Sequence, residues 1–134
     1  MHKFNNWSVP YSVITFFERS LSGHNKVVSV ERTRDILFKI HDNRGRILQV
    51  LLLNEYCLGL AAVLRALDEF PEAEFIVTGG NWNGYTREAK EYGLTNNIGI
   101  FNLGEFMGAL NYQNPKAYCK RDKDGNPIYP FKSA

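Results

Sequence analysis

The stretch DILFKIHDNRGRILQVLLLNEY, residues 35–56, decides the fold because it predicts two strands joined by a polar turn. Side chains in 35–40 alternate between two faces, which is the period of a strand. Residues 41–46 are polar and contain a glycine, which favours a turn. Residues 47–53 are apolar on both faces, which is typical of a central strand covered by helices on both sides.

The segments around this hairpin predict an α/β domain. Apolar spacing and end signals predict four helices and five strands in the order α-β-β-β-α-β-α-β-α. A strand hairpin followed by β-α-β-α units implies a mixed β-sheet flanked by helices. We expect residues 1–112 to form a single domain, and the turn-rich residues 113–134 to form a C-terminal tail and not a second domain.

Length and composition set the class of protein. The chain has 134 residues, of which 44% are hydrophobic and 22% charged, as expected for one globular domain. A net charge of +2 is too small to identify a nucleic-acid partner by itself. The sequence shows no targeting run, no apolar stretch of membrane-spanning length and no metal-binding pattern of its two cysteines, Cys57 and Cys119. We therefore expect a cytoplasmic protein with no membrane partner.

Four short motifs follow one another along the chain. They are FERSLSG at 17–23, DIL at 35–37, LNEY at 53–56, and a run from FIVT at 75–78 through YTREAK at 85–90 to IGI at 98–100. In this order they resemble the PD-(D/E)XK nuclease superfamily, nearest to Mrr-type restriction endonucleases and archaeal Holliday-junction resolvases. The resemblance implies a restriction-endonuclease-like fold and a setting in prokaryotic or phage defence.

The resemblance also implies a catalytic site, which this sequence fills only in part. Metal-dependent hydrolysis of a phosphodiester needs carboxylates that hold the ion and a lysine near the attacking water. Asp35 and Glu18 match the family's aspartate and helix glutamate, and would be ligands of Mg²⁺. The acidic and lysine positions of the second strand fall on Leu52 and Asn54, and a shift by one residue brings in Glu55 but no lysine.

Three functions follow from this partial match. The leading one is a degenerate nuclease-like domain with no cofactor, which acts by binding nucleic acid or a partner protein. The second is an active metal-dependent deoxyribonuclease in which Lys39 replaces the missing lysine. Residues i and i+4 of a strand lie on the same face, so Lys39 would lie on the face of Asp35. The third is a protein-interaction module such as an immunity or adaptor protein. A homodimer is compatible with each of them.

Local contacts offer a simpler explanation of the same residues. Asp35 can pair with a neighbouring arginine, Glu18 can be a solvated helix residue, and Asn54 can cap the helix that follows. The residues that the sequence suggests for contact with nucleic acid or a partner are Arg34, Arg44, Arg46, Trp82, Tyr85 and Arg87. The arginines of the hairpin are equally well explained as solvated charges.

Overall fold

The protein is an α/β domain with a five-stranded main sheet. The computed structural model describes residues 7–80 and 82–133. The helices are α1 (Tyr11–Ser22), α2 (Leu60–Glu69), α3 (Arg87–Thr95) and α4 (Leu103–Ala109), with a 3-10 turn at Pro115–Ala117. The strands are β1 (Val27–Arg32), β2 (Leu37–Asp42), β3 (Ile47–Leu53), β4 (Cys57–Leu58), β5 (Phe75–Thr78), β6 (Gly84–Tyr85) and β7 (Gly99–Asn102).

The main sheet is mixed, with the strand order β1-β2-β3-β5-β7. Strands β1, β2 and β3 pair antiparallel, whereas β3, β5 and β7 pair parallel. The predicted mixed α/β class is therefore confirmed. A second, two-stranded parallel sheet of β4 and β6 was not expected from the sequence, because strands of two residues leave no periodicity to detect.

Helices cover both faces of the main sheet. Neighbouring residues of a strand point to opposite faces of the sheet. The contacts of Ile100 and Phe101 in β7 therefore identify the helices on each face. A Cβ atom added to Gly93 of α3 would lie 2.5 Å from Ile100 Cγ1, so Ile100 faces α3. Phe101 contacts Phe106 of α4, with 6.5 Å between the ring centroids. The same α4 ring lies 6.1 Å from Phe17, which places α1 beside α4.

The parallel strands end together at one edge of the sheet. Leu53, Thr78 and Asn102 stand side by side in the register of β3, β5 and β7. We call this border the carboxyl edge. In open α/β sheets, ligands bind outside the carboxyl ends of the strands, so this edge is the first place to look for a site.

The C-terminal tail packs against the small sheet and brings its own side chains to the carboxyl edge. Tyr85 donates its N–H to the Pro130 carbonyl (3.3 Å) and accepts one from Lys132 (2.9 Å). Phe131 forms a parallel bridge with Tyr85. A Cβ atom on Gly84 would lie 1.9 Å from the Pro130 oxygen, so only glycine permits this approach of the two backbones.

Among the described residues, no helix combines the length and the apolar character needed to cross a membrane.

Candidate functional site

Asp35 lies in the turn before β2 and not in the strand. Its φ of +66° is left-handed, and β2 begins only at Leu37. Its carboxylate accepts a hydrogen bond from Arg32 Nη1 at 3.1 Å. Lys39 stands in mid-strand, opposite Gln49 of β3. Four residues of extended chain span about 13 Å, and the left-handed turn breaks the alternation that would place Lys39 and Asp35 on one face.

Leu52 is part of the hydrophobic core. It is fully buried, and its Cδ1 atom shares the space beside Gly79 with Val13 Cγ1 of α1. Asn54 follows the strand, and its Oδ1 accepts a hydrogen bond from Asn83 Nδ2 at 3.2 Å. Helix α2 begins after Gly59, so neither Asn54 nor Glu55 lies at its N-terminus. Leu52, at the position where the resemblance predicts an acidic metal ligand, is therefore a packed core residue.

Glu18 is half-buried on α1, whose buried face consists of Ile14, Phe17 and Leu21. Within residues 7–80 and 82–133, no three His, Cys, Asp or Glu side chains form a group that could hold a metal ion. The carboxylate of Asp35, predicted as a metal ligand, is paired with Arg32 at 3.1 Å.

The three arginines suggested for nucleic-acid contact bind parts of this chain. Arg34 donates to both carboxylate oxygens of Glu72 and to the Glu69 carbonyl. Arg46 contacts Asp42 at 2.7 Å and the carbonyls of Gln113 and Tyr112. Arg44 donates to the Asn111 carbonyl at 3.2 Å. The turn that carries Arg44 and Arg46 lies at the opposite end of β3 from the carboxyl edge, so these two residues fasten the hairpin to the segment after α4.

A chain of hydrogen bonds runs along the carboxyl edge. Asn83 Nδ2 donates to Asn54 Oδ1 and to the Gly79 carbonyl, and the Asn83 carbonyl accepts from Asn102 Nδ2 at 3.2 Å. Thr78 Oγ1 donates to the Glu55 carbonyl at 2.6 Å and accepts from the Glu55 N–H at 2.9 Å. These bonds join the ends of β3, β5 and β7 and hold the loop that carries Trp82.

This chain of bonds continues into a buried acidic group. Asn102 and Glu105 form a capping box at the start of α4, with bonds of 3.0 and 2.9 Å. The Tyr85 hydroxyl donates to the Glu105 carboxylate at 2.9 Å. Burial raises the pKa of Glu105, although the Asn102 N–H and the Lys90 charge oppose the rise. Tyr85 is fully buried, so this residue supports the edge from within and does not form a contact surface.

Lys90 of α3 is enclosed by aromatic rings. Its Nζ donates to the Ile100 carbonyl at 2.7 Å and lies 4.3 Å from the centre of the Phe101 ring. The rings of Tyr85 and Tyr129 are 5.3 and 5.8 Å away. Burial lowers the pKa of Lys90 to about 8, against the opposing influence of the Glu105 charge. A lysine that is 3% exposed had no signal in the sequence, because the helical spacing does not show which polar residue turns inward.

We expect the free energy of unfolding to rise as the pH increases from about 8 to about 10. In that range the unfolded chain keeps the Lys90 proton, whose ordinary pKa is 10.5, while the folded chain has released it. The gain is about 1.4 kcal/mol per pH unit, or roughly 2–3 kcal/mol in all. Tyr85, Tyr129, Glu105 and Cys119 also surround this group, and the raised pKa values of the two tyrosines reverse the trend at higher pH.

Urea unfolding at pH 7, 8, 9 and 10 measures this dependence. Lys90→Met should flatten the rise, while Lys123→Met, at an exposed lysine of the tail, should leave it unchanged. Equal pH profiles for the wild type and Lys90→Met would contradict the assignment.

A cavity of about 370 Å³ opens beside Glu105, where the chain of hydrogen bonds ends. Its walls include Asn102, Glu105, Tyr118, Lys120 and Pro130, so the tail forms one side of it. A larger hollow of about 640 Å³ lies between residues 112–121 of the tail and shares only Tyr118 and Lys120 with the first. The smaller cavity is therefore the one that reaches the carboxyl edge.

Five aromatic and basic residues belong to, or stand within two residues of, the small sheet and the tail strand that pairs with it: Tyr56, Trp82, Arg87, Phe131 and Lys132. Trp82 is 82% exposed and Tyr56 61% exposed. Lys132 Nζ lies 4.6 Å from the centre of the Tyr56 ring, and Arg87 Cζ lies 4.4 Å from that of Phe131. The Gly84 N–H donates to the Tyr56 carbonyl at 2.9 Å, which brings the Trp82 loop to the same place.

Two of these five residues, Trp82 and Arg87, were suggested by the sequence. Phe131 and Lys132 were missed because the tail pairs with Tyr85 only through its backbone, and Tyr56 was quoted in a motif but not suggested for contact. Compared with known protein families, curated proteins and solved structures, the chain shows no match.

Proposed function

We propose that the chain is a restriction-endonuclease-like domain that binds nucleic acid without cleaving it. The main sheet supports the first part of the proposal. Its antiparallel hairpin strands are followed by two parallel strands that are reached through helices, and β2 alone runs opposite to its four companions. This is the kind of mixed sheet that the resemblance implies.

The burial of Leu52 is the observation that carries the absence of cleavage. Its side chain is fully enclosed beneath α1, at the position where the family resemblance expects an acidic ligand. The lysine position is taken by Asn54, whose amide oxygen is occupied by Asn83. Hydrolysis of a phosphodiester needs charged groups at such positions to hold an ion and to stabilise the transition state, and here the two positions carry a leucine and a neutral amide.

Binding to nucleic acid is supported by what the same edge exposes. Exposed aromatic rings, such as those of Trp82 and Tyr56, and cations are the two features that nucleic-acid strands use, through base stacking and phosphate contact. The hairpin arginines contribute little to this, because Arg34, Arg44 and Arg46 are engaged with carboxylates and carbonyls of the chain itself.

The test is an incubation with single-stranded, double-stranded and branched DNA and with RNA, in Mg²⁺ and in Mn²⁺. We expect every substrate to stay intact, and at least one to be retained by the protein in a fluorescence anisotropy titration at low salt. Cleavage that Asp35→Ala abolishes, and that Asp68→Ala does not, would overturn the proposal. Asp68 is a matched control because it is an exposed aspartate on α2.

A further inference from the structure

We infer that the cavity beside Glu105 binds a small zwitterion of the amino-acid class, with the ligand's ammonium group at the Glu105 carboxylate and its carboxylate at Lys120. The cavity measures about 370 Å³, near the lower end of the range for small-molecule sites. It reaches the carboxyl edge at Asn102, and open α/β sheets bind their ligands outside this edge. A small zwitterion is a ligand separate from nucleic acid, so the inference does not rest on the proposed function.

The Glu105 carboxylate is buried without a cation beside it. Glu105 is 5% exposed, and among the described residues no nitrogen of a basic side chain lies within 4 Å of its carboxylate. Lys90, whose charge influences Glu105, donates to the Ile100 carbonyl instead. Glutamates are seldom fully buried unless they are paired, so a cation supplied by a ligand would complete this site.

The carboxylate keeps acceptor positions free for such a cation. An ionised carboxyl group has about four lone-pair positions. The Asn102 N–H occupies one at Oε1, and the Tyr85 hydroxyl shares its single proton between the two oxygens. Burial raises the pKa of Tyr85, so the hydroxyl stays protonated and acts as a donor. These two donors hold the carboxylate in place and leave room for the N–H groups of an ammonium.

Lys120 makes a zwitterion a better ligand than a simple cation. It lines the same cavity, and its positive charge opposes the rise in the pKa of Glu105. In the part of the chain that the structure describes, the Lys120 ammonium has no carboxylate within 4 Å. A ligand with an ammonium and a carboxylate satisfies both charges, whereas a ligand with an ammonium alone is repelled by Lys120.

The remaining walls suit a ligand with an apolar side chain. They include Tyr118, Ile128 and Pro130. The Ile128 N–H donates to the Lys120 carbonyl at 2.7 Å, which fixes the cation-bearing segment beside this apolar wall. L-Leucine, which carries an ammonium, a carboxylate and a branched apolar side chain, is therefore the first probe.

Three probes separate the groups of the ligand: L-leucine, 4-methylpentanoate, which lacks the ammonium, and 3-methylbutylamine, which lacks the carboxylate. In an NMR titration of isotope-labelled protein we expect L-leucine to shift the amides of Gly104 and Ile128 saturably. The amide of Asn114, which lines the larger hollow and not this cavity, should stay in place. 4-Methylpentanoate should bind at least about 10-fold more weakly than L-leucine, because it makes no charged bond to Glu105.

Glu105→Gln removes the charge and should keep the fold. Glutamine also serves at the fourth position of a capping box, and circular dichroism checks that the helices remain. We expect this variant to bind L-leucine roughly 10- to 100-fold more weakly than the wild type does. Glu88→Gln is the matched control, because Glu88 is an exposed glutamate in the first turn of α3, and it should bind as the wild type does.

Lys120→Gln tests the second charge. It should weaken the binding of L-leucine by up to about 5-fold, since Lys120 is exposed and exposed ion pairs are weak. It should not weaken the binding of 3-methylbutylamine, which has no carboxylate. Lys123→Gln, in the exposed turn of the tail, should change neither affinity.

Several results would overturn the inference. One is equal affinity of the wild type for L-leucine and 4-methylpentanoate, and another is equal affinity of the wild type and Glu105→Gln for L-leucine. An amine that binds as tightly as L-leucine would show that the ligand is a simple cation. Failure of L-leucine and of every other common L-amino acid to shift the Gly104 and Ile128 amides would exclude the site. None of these results bears on the binding of nucleic acid.

Discussion

Leu52→Ala is expected to lower the free energy of unfolding by about 2–5 kcal/mol. Leu52 is fully buried in the middle of the parallel part of the sheet, beside Val77 in register and beneath α1. Removing three carbons there loses their transfer from water and leaves a cavity that Val13 and the strand backbone can close only in part. The loss is large because strands β3 and β5 have helices on both faces and cannot move toward either.

Urea unfolding of matched variants measures this cost. Leu52→Met keeps the volume and should cost less than about 1.5 kcal/mol. Leu64→Ala is the surface control, since Leu64 of α2 is 45% exposed, and should change stability by less than about 0.5 kcal/mol. A cost below about 1 kcal/mol for Leu52→Ala would show that this position is not part of a packed core.

The same packing explains why one substitution should not restore a nuclease site. Leu52→Asp would place a carboxylate in a fully buried position of the hydrophobic core, and an isolated charge in such a place is strongly unfavourable. Asn54 would also have to give up its bond with Asn83, which holds the Trp82 loop. A return to hydrolysis thus competes with both the core packing and the hydrogen bonds at the carboxyl edge.

Hydrophobic patterning was enough to predict the central part of the fold. The apolar run 47–53 indicated a strand covered on both faces, and β3 lies between β2 and β5 with helices on either side. The alternation of 35–40 likewise indicated its partner strand. Patterns of this kind are strong where burial is decided by each segment alone, as it is for central strands.

Boundaries and long-range polar contacts were not predictable in this way. Asp35 was expected to open β2, but a left-handed φ places it in the turn, and side-chain alternation carries no information about that angle. Arg46 donates to carbonyls 66 and 67 residues away, which no pattern in the sequence indicated. Pairings over such separations depend on the finished fold and leave no local signal.

The polar group at the start of α4 did have a signal in the sequence. Asn102 and Glu105 are spaced as in a capping box, in which the first residue caps a helix and the fourth bonds back to it. The spacing could have located the start of α4 and hence a polar group at the carboxyl edge. It could not have shown that the Tyr85 hydroxyl bonds to the same carboxylate, or that the charge of Lys90 on α3 influences it.

Asp42→Ala is expected to lower the free energy of unfolding by about 3 kcal/mol, near the lower limit for breaking a buried ion pair. The Asp42 side chain is 1% exposed and lies 2.7 Å from Arg46 Nε. It also accepts the N–H groups of Arg44 and Arg46 at 3.0 and 2.9 Å. The variant leaves a partly buried guanidinium and two backbone donors without their acceptor, and each such loss is costly.

Asp122 provides the control for this prediction. Its carboxylate accepts the N–H groups of Asp124 and Asn126 at 2.9 Å in the same turn geometry, but the turn is exposed. Asp122→Ala should therefore have a much smaller effect in the same urea titration. Equal costs at the two positions would show that the turn alone, and not the buried pair, stabilises the β2–β3 hairpin.

The pH dependence and the binding data complete the test of this pair. Burial by itself raises the pKa of Asp42, but the hydrogen bonds from Arg46 and Arg44 outweigh it and lower the pKa below its ordinary 3.8. The stabilisation is therefore present above pH 3.8 and is lost as the pH falls through the lowered value. Asp42→Ala should differ from the wild type by a constant amount at pH 5–7 and by less below 3.8.

Arg46→Gln should likewise reduce stability while leaving the salt dependence of nucleic-acid binding unchanged; the opposite pattern would assign Arg46 to the binding surface.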